Sequence, residues 1–296
     1  MKKLRSLPNL LFLLLAASLF LPGAKQAAHW AAFLAVIIMF EIYYLIITFA
    51  TEENFSGAFA ITYGFFIFWE VATRVLGAGN PILVPPPENV FQIFVDNWKL
   101  MGSGLVNSLF LLTCGFWTGI IAAVFLGLVI GWIPRLRGAI FPIVKVISPI
   151  PPLIYVPYVI AVMPTFYAAS IFVLFLGVFW PMLMNVINRV SEMDKRIIDC
   201  ARALNVSTPT MLFKIVLPYC APGILGGLSI SISISFMILT MAEIIGVGSG
   251  IGYFVNRSAA NSEYVKVIAG IILISFTVTC LNGLVNLAKK RFLKWI

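Results

Sequence analysis

Long, uninterrupted apolar runs limit what this chain can become more than any other feature. Stretches such as IFVLFLGVFWPMLMNVI (171–187) and ILGGLSISISISFMILTMA (224–242) carry no charge at all. Hydrocarbon offers backbone N–H and C=O groups no partner, so a run of about 20 such residues crosses it as a helix. Spans are expected near 7–23, 29–50, 57–78, 105–132, 138–162, 167–187, 220–242 and 265–287. Only 10% of the residues are charged and 61% are hydrophobic, whereas soluble domains carry roughly 25% charged residues. The expected fold class is an all-α polytopic membrane protein of about eight transmembrane helices.

A net charge of +9 would suit a nucleic-acid partner, but its placement argues for a membrane. The basic residues gather in MKKLR at the start, PRLR at 134–137, the segment 189–214 and KKRFLK near the end. Basic clusters flanking spans mark the cytoplasmic side. With the N-terminus inside, eight crossings put all four clusters there. Membrane lipid is therefore the expected partner, nucleic acid is not, and both termini are cytoplasmic if the first span is kept. That first segment, MKKLRSLPNLLFLLLAASLFLPGAKQAA, also has the basic start, short apolar core and small residues of a removable signal. An uncleaved helix is favoured, because a multispanning protein needs no removable signal.

Catalytic and metal chemistry find little support. Cys114, Cys200, Cys220 and Cys280 are scattered without ligand spacing, and His29 is the single histidine, so neither a metal site nor a disulfide framework is expected. The run GVGSGIG (246–252) fits neither phosphate-loop pattern. It reads as a turn, and no nucleotide site is visible.

One polar segment interrupts this pattern. In DCARALNVSTPTMLFKIVLP (199–218) and the residues before it, Ile197, Ile198, Ala201 and Leu204 share one helical face. Asp194, Lys195, Arg196, Asp199 and Arg202 occupy the rest. Asn205 tolerates the left-handed conformation that ends many helices. Thr208 before Pro209 then reads as an N-cap with proline at the first helical position, and the second helix is expected to run to Pro218. Pattern alone also allows an ordinary cytoplasmic loop.

The spacing carries more. The stretch resembles the EAA loop of ABC-importer permeases, E-A-A-x3-G-x9-I-x-L-P, with Asp199, Cys200 and Ala201 in the first three places, Asn205 for the glycine, and Ile215, Leu217 and Pro218 closing it. Asp for Glu keeps the acid, and Asn for Gly keeps access to positive φ. Residues 68–94 (FWEVATRVLGAGNPILVPPPENVFQIF), 107–160 and AEIIGVGSGIGYFV (242–255) are similar to ordered motifs of the nitrate/taurine/sulfonate/bicarbonate-type branch. VMPTFYAAS (162–170) departs from that branch. The resemblance implies an ABC type I importer permease-like core over 56–296, with 1–55 as extra N-terminal hydrophobic segments. It further implies a bacterial inner membrane location, import of a small solute, and docking of a separate ABC ATPase on a coupling helix formed by Asp199, Cys200, Ala201, Arg202, Ala203, Leu204, Asn205, Val206 and Ser207. The remaining implied partners are an extracytoplasmic substrate-binding protein and a second permease copy. ATP would be bound by the partner subunit, with no cofactor in this chain and no enzyme activity of its own.

Small polar residues offer a route for the solute. On a helix, Gly226, Ser229 and Ser233 share one face and Gly227, Ser231 and Ser235 roughly the opposite one. The second set suits close helix packing, and the first is read as lining a pathway, unless both faces are packing surfaces. Glu243, just past its span, is read as reaching the outer interface beside that route. Glu70 and Arg74, four residues apart, are expected to pair with each other; Lys145 is left to snorkel or face the bundle, and Glu41 lies where the family gives no guidance. The rival reading, a secondary transporter or channel, would require inverted repeats or several mid-span carboxylates, and neither is seen.

Overall fold

The structure is a computed structural model describing residues 7–20, 30–50, 56–77, 80, 82–246 and 248–292. The expected cleavage region near residue 28, and His29, lie outside the described residues. Helices account for nearly all of the described chain: α1 (Leu7–Ser18), α2 (Trp30–Ala50), α3 (Ser56–Glu70), α4 (Pro87–Asp96), α5 (Trp98–Trp132), α6 (Pro134–Ile147), α7 (Val156–Val162), α8 (Phe166–Ser191), α9 (Lys195–Ala203), α10 (Thr208–Met211), α11 (Leu217–Ile245), α12 (Ile251–Ala260) and α13 (Tyr264–Phe292). Among them 6 stretches are long and apolar enough to cross a membrane. The first expected span is shorter than anticipated, since α1 has 12 residues and reaches only about 18 Å against roughly 30 Å of hydrocarbon.

The chain divides into two compact units, Met1–Gly102 with Phe254–Ile272, and Ser103–Tyr253 with Leu273–Ile296. In the first, α1 to α4 share an aromatic core. Phe33 stacks on Phe91 at 5.4 Å and meets Phe66 edge-on at 5.7 Å between ring centroids. Buried polar groups fasten this unit. The expected Glu70–Arg74 pair forms at 2.5 Å. The same guanidinium donates to the carbonyls of Ser18 and Leu19, closing the C-terminal end of α1, where carbonyls lack helical partners. Glu41 is answered by the Tyr63 hydroxyl at 2.8 Å. Helices α1 and α2 thus share a core with α3 and α4.

The second unit is built on a glycine ladder. Gly115, Gly119, Gly127 and Gly131 fall at multiples of four along α5, with Ala123 on the missing rung. A Cβ on Gly115, Gly127 or Gly131 would stand only 2.5, 2.7 and 2.7 Å from the Cβ atoms of Leu174, Val186 and Val190 on α8. Both sets ascend together, so α5 and α8 run parallel with backbones in close approach, the geometry small-residue stripes permit in lipid. Helix α11 packs on α8 over a core including Val178, Met182, Val186, Leu228 and Ile232.

Two local departures from regular helix follow from proline. The fifth expected span, 138–162, is broken: α6 ends at Ile147, a short 3-10 turn occupies Pro152–Ile154, and α7 resumes at Val156. Pro149, Pro151 and Pro152 lack the N–H donors a helix needs and clash with the preceding turn. The break sits close to α8, where a Cβ on Gly177 would meet Pro152 Cγ at 3.1 Å. Irregular backbone at membrane depth requires such protein neighbours or water. Pro218, expected to stop a helix, does not. A π turn at Leu212–Val216 widens the preceding turn and lets the helix continue through it, so 208–245 forms one 38-residue span.

Candidate functional site

The polar segment folds as a helical hairpin between α8 and α11. Asp194 caps α9, its carboxylate accepting from Arg196 N at 2.9 Å. The helix ends where Asn205 takes φ 54° and Val206 N donates back to the Ala201 carbonyl at 3.2 Å, a left-handed C-terminal closure that asparagine tolerates. The next cap is Ser207 rather than Thr208. Its hydroxyl turns to Thr210 Oγ1 at 2.9 Å, and Pro209 follows within the first turn.

The apolar face of α9 is divided. Ala201 is 5% exposed and Ile198 half-buried, both packed on the core that holds Met211 and Val216. Leu204 is 78% and Ile197 39% exposed, and Asp199, Cys200, Arg202, Ala203, Asn205 and Ser207 are exposed beside them, with Val206 half-buried. The hairpin is therefore rooted on one side and presents an apolar residue within a charged rim on the other.

In the serine-rich part of α11, Ser229 and Ser231 are both half-buried, so exposure does not separate the two faces there. Ser235 is fully buried and bonds back to the Ser231 carbonyl at 2.7 Å, while Ser233 is exposed and Ser229 half-buried. What the sequence did not announce is their neighbour. Asn282 Nδ2 donates to Ser233 Oγ at 3.2 Å, Ser229 Oγ donates to Asn286 Oδ1 at 3.4 Å, and Lys289 Nζ donates to Ser229 Oγ at 2.8 Å and the Gly226 carbonyl at 3.3 Å. The partners descend α13 as they climb α11, an antiparallel polar zipper. The sequence carries a signal for it, since Asn282, Asn286 and Lys289 recur at helical spacing along α13.

Glu243 requires a correction. Read as reaching the outer interface beside the route, it is 1% exposed. Its Oε1 accepts from Ser108 Oγ at 2.5 Å and its Oε2 from Gly252 N at 2.7 Å. The Ser108 oxygen accepts in turn from Ile251 N at 3.0 Å. Together they satisfy the first free N–H groups of α12, which no residue within that helix can serve. Gly250 makes this possible, with φ 114° and a position where a Cβ would run into the carboxylate. Glu243 thus ties α5, α11 and α12 and stands about 15 to 20 Å along the helix from Ser233 and Ser229. Lys145 is exposed, with its ammonium 4.8 Å from the centre of the Phe141 ring. Among the described residues no cluster of His, Cys, Asp and Glu could hold a metal, and the four cysteines are unpaired.

Comparison with known proteins accords with this architecture. Residues 115–294 match the family model described as binding-protein-dependent transport system inner membrane component. The nitrate import permease protein of Leptolyngbya laminosa is 31% identical over 68% of this chain and 77% of its own length. The taurine transport system permease protein of Escherichia coli is 26% identical over 77% of this chain and 85% of its own. For the putative aliphatic sulfonates transport permease protein of Bacillus subtilis the figures are 27%, 77% and 83%. Among solved structures, the methionine ABC transporter MetNI in inward-facing conformations aligns with a TM-score of 0.50 at 18% identity, covering 64% of this chain and 98% of the matched one. At that identity the likeness is one of fold.

Proposed function

The chain belongs to the family of binding-protein-dependent transport system inner membrane components, and on that premise we propose that it is the membrane subunit of an ATP-driven importer whose ATPase is a separate polypeptide docked on residues 199–207. The observation that carries this is the α9 hairpin, a rooted helix whose exposed Leu204 and Ile197 have charged neighbours and no cover among the described residues. Apolar residues ringed by charge mark protein contact sites. In this reading residues 56–296 are the transport domain and 1–55 an addition to it. The cargo is a small oxyanion, in keeping with the nitrate, taurine and sulfonate named for its relatives. An extracytoplasmic binding protein delivers that cargo, a second copy of the permease completes the path, and ATP is held by the partner. Ser229 and Ser233 lie on the path, the hairpin and both termini face the cytoplasm, and the membrane is the bacterial inner membrane.

The test is a double substitution on the exposed rim. Asp199→Lys with Ala203→Glu leaves Ala201 and the core untouched, so membrane insertion and thermal stability should stay as in the unaltered chain. Co-purification of the ATPase, or cargo-stimulated ATP hydrolysis, should fall to background. Normal levels of both in the double variant would show that the hairpin is not the coupling element.

A further inference from the structure

We propose that Lys289, Ser229 and Asn286 form a subsite for a small soluble oxyanion on the transport path, an inference that rests on the permease reading and deepens it by naming the residues that recognise the cargo. The ammonium of Lys289 is spent on two neutral acceptors, Ser229 Oγ at 2.8 Å and the Gly226 carbonyl at 3.3 Å. No described carboxylate pairs with it. A lysine near the end of a span ordinarily extends toward the polar interface. Here, instead of joining Lys290 and Arg291, it turns against α11 and meets the same serine as Asn286, one turn back along α13. A half-buried cation answered by neutral oxygens alone keeps its capacity for an anion, because an ammonium bonds an anionic acceptor more strongly than a neutral one.

The spare donors and the space agree. An ammonium has three N–H bonds, of which two are committed. Asn286 Nδ2 has no described partner, and Asn286 is exposed. A Cβ on Gly226 would meet nothing within 4 Å, so the side of the zipper where these donors lie is open. A second cation flanks the same stretch: the Arg189 guanidinium lies against Gly223 and donates to Asn185 Oδ1 at 2.8 Å, again without a described carboxylate. This part of α11 therefore has positive charge on two neighbours and, among the described residues, no carboxylate paired with either. An oxyanion with several acceptor atoms around one centre fits that donor set, since charge-assisted bonds from an ammonium are the stronger kind.

The experiment uses the full chain in lipid nanodiscs, with the four native cysteines replaced and Ser233→Cys as the reporter. Labelling rates are measured with an anionic sulfonatoethyl and a cationic trimethylammonium-ethyl methanethiosulfonate. With Lys289 present the anionic reagent should gain roughly tenfold relative to the cationic one, as expected for a fixed charge within a few ångströms in partly aqueous surroundings. Lys289→Gln should abolish that preference and Lys289→Arg should preserve it. Nitrate or methanesulfonate should slow the anionic reagent in zwitterionic lipid, and only when the cation is present. A preference unchanged in Lys289→Gln, or no reaction with either reagent, overturns the subsite. Protection seen only with phosphatidylglycerol also overturns it, assigning the cation to lipid headgroups. Co-purification of the ATPase is followed in the same samples. Its loss from the unaltered chain would count against the permease reading, whereas its retention in Lys289→Gln isolates the subsite.

Discussion

Removing the Glu243 carboxylate should destabilise the protein by an amount the geometry allows to be worked out. Glu243→Ala leaves Gly252 N–H without an acceptor and the Ser108 hydroxyl without its short 2.5 Å partner. Each orphaned buried group costs about 1–3 kcal/mol, so the pair should cost about 3–5 kcal/mol once the lost side-chain volume is included. Glu243→Gln keeps one oxygen for Gly252 and turns its amide toward Ser108, so it should cost only about 1–2 kcal/mol. Gly250→Ala separates contact from strain. Its Cβ meets the carboxylate while its φ of 114° is disfavoured for alanine whatever the neighbour. In the Glu243→Ala background Gly250→Ala should therefore cost less than in the unaltered chain, with a coupling of about 1 kcal/mol or more. Size-exclusion chromatography after stepped heating in detergent measures this, with Glu243→Ala lowering the apparent melting point by on the order of 5–10 °C. Equal losses for Ala and Gln, or strictly additive effects with Gly250→Ala, would refute the argument that this carboxylate holds the three segments.

The glycine ladder predicts that Gly127→Leu prevents accumulation of folded protein, because Val186 Cβ stands 2.7 Å from where the new Cβ would be, whereas Gly138→Ala, which meets nothing within 4 Å, should be neutral in the same expression assay. Arg74→Met should release the α1 carbonyls and leave Glu70 buried without its cation, a loss of about 3–5 kcal/mol read as faster proteolysis within residues 7–20. Reporter fusions after residue 138 or 196 should report cytoplasm and those after residue 90 or 258 the outside; a reversed result at either loop would remove the orientation on which the docking argument depends.

The sequence made the long spans legible because lipid leaves a backbone so few choices, and the hairpin legible because Asn205 and Pro209 carry local signals for helix ends, whereas the Asp194 cap emerged only in the structure. The ladder between α5 and α8 was hidden although its glycines were in plain view. A stripe of small residues says that something approaches closely without saying which helix does. The break at 148–155 could have been read from Pro149, Pro151 and Pro152, had the apolar average not masked the missing donors. Glu243 was misplaced for a different reason. Its partners, Ser108 and Gly252, lie 135 residues before it and 9 after it, and only the fold closes a ring around it. The polar zipper sits between these cases, since its α13 spacing is periodic but its counterpart on α11 is known only once the two helices are paired.

The continuous helix from Thr208 to Ile245 has a mechanical consequence. Its 38 residues make a strut about 57 Å long, anchored at one end in the hairpin root and at the other in the ring around Glu243. A strut of that length tilting by about 5° about its hairpin end would carry its far end through about 5 Å, far beyond the stretch a hydrogen bond survives. Its two ends are therefore not free to move independently unless something between them yields. The point where regular α bonding is interrupted is the π turn at 212–216, which lies next to the hairpin. A displacement delivered at the hairpin is thus split at that turn, part of it absorbed as bending and the remainder transmitted as rotation of the whole rod. The stiffness of five residues then sets how closely the motions of the rod's two ends are linked.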